Sequence, residues 1–120
     1  MSWVKSNAKD KLFWHITSSN LRESINNIGL KQSNSGQVGA GVYCIEAEDY
    51  DALDNLMDFL GINRKSKIED LIIIEFIYTG IYEFVLKDLL MYTNEGWCVI
   101  RTDVPSENIL RTLSFKDTEY

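Results

Sequence analysis

Apolar positions fall in short runs along the chain, and their spacing changes from one run to the next. Residues 11–16, KLFWHI, combine aromatic and branched side chains in a short run of strand character. Just beyond, Asn20 and Glu23 have capping-box spacing, and Leu21, Ile25 and Ile28 recur at helical intervals until Gly29, which predicts a helix over 21–28. The stretch 31–41, KQSNSGQVGAG, is rich in Ser, Asn and Gly and reads as a loop. GVYCIE, 41–46, then has strand character. A second helix is predicted over 48–61, with acidic residues in its first turn, Leu53, Leu56, Met57 and Leu60 on one face, and Gly61 as terminator. The run 68–86 is dense in Ile, Phe and Tyr and bent at Thr79-Gly80, so it reads as two extended segments. GWCVIRTDV, 96–104, is a further strand, and 107–115 is either strand or a short helix followed by strand. Five or six strands and two short helices, both in the first half, form an α+β pattern, because no helix separates the strands of the second half.

Composition narrows the function classes. A chain of 120 residues, 45% hydrophobic and 25% charged, fits a single domain over 1–120, with no repeat and no linker long enough to divide it. The net charge of -6 repels a phosphate backbone, so nucleic acid is a less favoured partner than a small molecule or a protein. The apolar runs are too short to cross a bilayer and no signal-peptide pattern opens the chain, from which a cytoplasmic location and no membrane association are expected. Cys44 and Cys98 lack the spacing of a metal site and are expected to be small buried residues. No metal is expected.

Four stretches, in order, resemble ADP-ribosyltransferases of the poly(ADP-ribose)-polymerase and diphtheria-toxin group. HITSSNLRESINNIGL is similar to the opening His-x-Thr/Ser motif, and GAGVYC to the Gly-x-Gly-Ile-Tyr-Phe segment. LIIIEFIYTGIYEF is similar to the next hydrophobic strand with its Gly turn, and TNEGWCVIRTDVPSENILRTL to the catalytic Asn-Glu segment. Together they span roughly residues 12 to 113 of the chain. The resemblance implies an ADP-ribosyltransferase-like split antiparallel β-sandwich around an NAD cleft, with a His-Tyr-Glu triad at His15, Tyr43 and Glu95. NAD is then the substrate. Glu95 would stabilise the oxocarbenium-like transition state as nicotinamide leaves, and would orient the acceptor or take its proton. Tyr43 would stack on nicotinamide, with Gly39 and Gly41 leaving it accessible. His15 would hydrogen-bond a ribose hydroxyl, with Thr17 nearby and the Ile16 backbone at the carboxamide; Tyr50 is the only aromatic available as a second wall.

Each triad member also has a plainer reading. His15 could be a half-buried residue at a strand end, Tyr43 a core aromatic and Glu95 a solvated turn residue. The chain departs from the pattern of that group at other points. Asp51 and Asp54 occupy the region where polymerase-like members carry a Ser and a second stacking Tyr, and Thr93 stands where arginine-modifying members carry Glu or Gln. The few basic residues argue against an RNA 2'-phosphotransferase. The activity expected is mono-ADP-ribosyl transfer to a macromolecular, protein acceptor. The alternatives are a catalytically silent module binding NAD, ADP-ribose or a signalling nucleotide, and an NAD glycohydrolase. Leu89, Leu90, Met91 and Tyr92, rimmed by Lys87 and Asp88, form either an acceptor-docking loop or part of the sheet packing. Two aromatic groups, Trp3 with Phe13 and Trp14, and Tyr92 with Trp97, are partner surface or core, core being the better-supported reading.

Overall fold

In a computed structural model, the backbone is described for residues 2–33, 39–62, 70–88 and 93–117, and side chains for residues 4–33, 39–62, 70–84 and 96–116. Five strands and two α-helices follow one another along it: β1 (Ser2–Ser18), α1 (Arg22–Ile28), β2 (Val42–Glu46), α2 (Tyr50–Leu60), β3 (Leu71–Asp88), β4 (Thr93–Ile100) and β5 (Ile109–Ser114). The α+β pattern read from the sequence is therefore present, with both helices in the first half. Among the described residues no helix is long and apolar enough to cross a membrane.

All pairings are antiparallel, and the strands join in one five-stranded sheet in the order β1-β2-β4-β3-β5. β1 pairs in addition with β3, so the β1, β2, β4 and β3 pairings close a circuit. Where the resemblance implies a split antiparallel sandwich, the strands form one sheet folded on itself. The fold becomes possible because β1 and β3 are each long enough to bend. β1 extends well beyond the expected 11–16, and where two extended segments are expected within 68–86 the described residues form one continuous strand, Leu71–Asp88, with Gly80 at φ 143°. Opposite Gly80 the register shifts between Ala8 and Lys11, with Asp10 at φ 48°. The Asp10 N–H donates to Thr79 Oγ1 at 2.9 Å, and the Thr79 hydroxyl donates back to Asp10 Oδ1 at 3.1 Å. The irregular backbone of both strands, Asp10 and Gly80 at positive φ, therefore falls at one place in the ladder.

Alternation along the strands buries both faces of the sheet. Trp14, Ile16, Tyr43, Ile45, Trp97 and Val99 pack on one face against Leu53, Leu56 and Met57 of α2. That helix matches its sequence pattern: Asp49 caps it by accepting from the Ala52 N–H at 3.1 Å, and Gly61 ends it in a left-handed conformation. The other face gathers Phe13, Val42, Cys44, Cys98 and both halves of β3, where the Phe13 ring lies 5.8 Å from Phe76 and 5.2 Å from Tyr82. Ile25 of α1, Leu30 and Val104 close over it. Cys44 and Cys98 are buried free thiols, as expected.

Two local expectations change and one open alternative is resolved. α1 starts after a 3-10 turn with Leu21 at its N-cap and no side-chain cap bond, so the Asn20–Glu23 capping box does not form. β4 ends at Ile100, leaving Arg101 to Asp103 in a bend, because Arg101 turns to bond Glu83 and the Ala40 carbonyl. In 107–115, the short-helix-then-strand alternative is the one observed.

One row of the sheet carries a buried charge. Trp14, Glu75 and Arg111 are partners across β1, β3 and β5. The Glu75 carboxylate accepts from the Trp14 indole N–H at 2.8 Å and from Arg111 at 3.0 and 3.2 Å. Burial pushes the Glu75 pKa up, but the bonds from Arg111 and Trp14 outweigh it and hold the carboxyl below its ordinary value.

Candidate functional site

The β1–β2 ladder is short, and His15 lies where it stops. Phe13 pairs with Glu46 and Trp14 with Ile45; at the next residue the imidazole takes over, with Nδ1 2.7 Å from the Tyr43 carbonyl oxygen. A carbonyl only accepts, so Nδ1 carries the proton and Nε2 is left as an acceptor. Burial lowers the His15 pKa, more than the bond to Tyr43 raises it, and favours that neutral form. Among the described residues Nε2 has no hydrogen-bond partner.

His15 opens onto a pocket of about 190 Å³ beneath α1. Thr17 and Ser24 add hydroxyls to its lining, and Lys31 adds the one cation. Leu21 and Ile28, 47% and 55% exposed, form an apolar rim. The sequence pattern groups these two with Ile25, yet only Ile25 is buried, since a helix of 7 residues presents too short a face to cover all three. The pocket floor is tied down from the far end of the chain. Leu30 and Val104 exchange two backbone hydrogen bonds of 2.8 Å, and a Cβ on Gly29 would lie 2.2 Å from the Val104 oxygen. The Gln32 N–H donates to Asp103 Oδ1 at 2.9 Å, and Lys31 Nζ lies 3.6 Å from Asp103 Oδ2.

Tyr43 adjoins His15 through its backbone, but its ring is on the opposite face of the sheet. It is buried in a stack, 6.1 Å from Trp97 and 6.2 Å from Phe59, and its hydroxyl donates to the Gly39 carbonyl at 2.7 Å. The core reading of Tyr43 is the one the geometry matches. Gly41 serves the same packing, since a Cβ there would come 2.3 Å from Val99 Cγ1. Ile16 is buried towards α2 while its backbone pairs with Ile73, and half-buried Tyr50 sets its ring edge-on to Trp14 at 5.9 Å. Phe13, Trp14 and Trp97 belong to the core.

Glu95 lies within β4, but its side chain is outside the described residues, as are the side chains of Trp3, Lys87 and Asp88. Leu89, Leu90, Met91 and Tyr92 fall outside them altogether, as do residues 34–38 of the loop before β2. The backbone register still locates Glu95. Trp14, Ile45 and Trp97 share one row; His15 is one residue to one side of it and Glu95 two residues to the other. Three residues of rise and two strand spacings put their α-carbons about 14 Å apart. The next residue, Gly96, abuts Ala52 at the start of α2, where a Cβ would meet the Ala52 Cβ at 2.6 Å.

His15 and Thr17 thus share a pocket, Tyr43 and Tyr50 serve the α2 face, and Glu95 lies along the sheet from His15. Ser24, Lys31 and Asp103 were not singled out by the sequence. Among the described residues no three His, Cys, Asp or Glu side chains gather as a metal site. No protein-family model matches the chain, and no curated protein matches it.

Proposed function

We propose that the chain is an NAD-dependent mono-ADP-ribosyltransferase with a protein acceptor, in which the His15 pocket receives a ribose of NAD and Glu95 acts on the transferred sugar. The observation carrying this reading is the state of His15. Its Nδ1 proton is committed to Tyr43, its Nε2 lone pair has no protein partner among the described residues, and it borders a pocket with the Thr17 and Ser24 hydroxyls. A neutral acceptor beside two hydroxyls suits a sugar hydroxyl. The four stretches that resemble ADP-ribosyltransferases support the reaction. The nicotinamide nitrogen leaves with the electron pair of its bond to ribose, the acceptor nucleophile bonds to the same carbon, and Glu95 takes the acceptor's proton. The net charge of -6 favours a protein over a polyanion as acceptor.

Tyr43 supports a second reading, a module that binds NAD or ADP-ribose without reaction. Its ring is buried beside the Phe59–Trp97 pair, themselves 4.3 Å apart, which leaves little of it within reach of nicotinamide. Incubation with labelled NAD and cell lysate separates transfer, hydrolysis and binding alone. Labelled protein supports transfer, free nicotinamide without labelled protein supports hydrolysis, and bound unchanged NAD supports the module. Glu95→Gln should abolish labelling while keeping NAD affinity, since an amide cannot offset a developing cation; unaltered labelling in this variant removes Glu95 from the reaction. His15→Ala should weaken NAD binding, and unchanged affinity would take the ribose away from this pocket.

A further inference from the structure

The His15 pocket offers a ligand mostly uncharged chemistry, and Lys31 is the exception. It is the one cation among the lining residues, in a chain of net charge -6. Its counter-charge, Asp103, lies 3.6 Å away, and both side chains are about half exposed. Water competes for such a pair, so it exchanges partners at little cost. The two halves of the pair differ in how they are held. Asp103 is fixed by the Gln32 N–H, and its neighbour Val104 is fixed by both bonds to Leu30. Lys31 ends in an ammonium on a flexible four-carbon stem that can swing to another anion.

Resting on the ribose reading above, we infer that Lys31 receives the phosphate of a ribose phosphate seated at His15, and that Asp103 competes with the ligand for it. The imidazole selects the sugar by accepting from a hydroxyl. Lys31 then adds the charge recognition that His15, Thr17 and Ser24 lack. Asp103 makes the phosphate displace an existing ion pair, so charge recognition is weaker than an unopposed lysine would give.

Calorimetric titration of the whole chain with adenosine and with ADP tests this. The wild type should prefer ADP by about tenfold, the size of one exposed charge-assisted contact. Lys31→Met should erase that preference and leave adenosine affinity unchanged, while Lys31→Arg should keep most of it. Asp103→Asn retains an oxygen for the Gln32 N–H but loses the charge, so ADP should bind about two- to fivefold tighter and adenosine as before. Adenosine binding with no gain from phosphate, or an undiminished preference in Lys31→Met, overturns the inference alone. Failure of both ligands to bind overturns the ribose reading and the inference with it.

Discussion

Gly41→Ala separates two reasons for a glycine beside Tyr43. If the glycine keeps a ligand path open, an added methyl should cost affinity and spare the fold. The structure points the other way. The new Cβ would sit 2.3 Å from Val99 Cγ1 and 3.2 Å from the Ile100 carbonyl oxygen, and both residues are fully buried. A methyl-sized overlap in a closed core costs about 1–3 kcal/mol. With an unfolding entropy of about 2.1 cal/mol/K per residue, a chain of this size loses about 4 °C per kcal/mol, so the melting temperature should fall by about 8 °C for a cost of about 2 kcal/mol. Val99→Ala removes the clashing methyl. That change destabilises by itself, but the double variant should lose less than the two single losses summed, by at least about 1 kcal/mol. Calorimetric melts of the four proteins read this coupling directly. A Gly41→Ala protein that melts with the wild type, or a double variant whose losses add, would refute the packing account.

Three further outcomes follow from the same geometry. Tyr43→Ala should destabilise by about 3–5 kcal/mol in urea unfolding, as large-to-small changes in aromatic cores do, whereas Tyr43→Phe should lose only about 1 kcal/mol for the hydroxyl bond to Gly39; an unaltered midpoint for the alanine variant would return the ring to an open cleft. Glu75 has a lowered pKa, so its contribution is complete above the ordinary carboxylate value of about 4.3 and is lost as pH falls through the lower folded value. Wild-type stability should therefore drop more steeply than that of Glu75→Gln as acid is added below about pH 5, and parallel curves would show that Trp14 and Arg111 do not favour the ionised form.

The elements that local signals control were legible before the fold was seen. α2 announced itself through Leu53, Leu56 and Met57 on one face, acidic residues in its first turn and Gly61 at its end. The first half of β1 did not, because Lys5, Lys9 and Asp10 interrupt any apolar run and the segment is a strand only by pairing with β3. The site divides in the same way. His15 was visible as the lone histidine of the sequence, at the edge of an apolar run. The face taken by Tyr43 was not, since it depends on register: Trp14 pairs with Ile45, which puts the odd positions of β1 on the same side as the even positions of β2. A slip of one residue would have brought the two rings together. Lys31 and Asp103 lie 72 positions apart, and they meet only because Leu30 bridges to Val104.

The long β1–β3 pairing sets a timetable for the chain as it is made. Ser2 pairs with Leu86, and Ser18 with Leu71. Apart from two rungs to β2, β1 has no strand partner among the described residues until β3 follows it. At roughly 5–20 residues per second, the seventy or so intervening residues take about 4–14 s to add. Throughout that interval Ile16 and most of β1 lack a pairing partner, and any other open β edge can capture the strand. High expression rates and closely spaced ribosomes should therefore divert this protein into aggregates, and slower synthesis or a chaperone holding the first twenty residues should recover it.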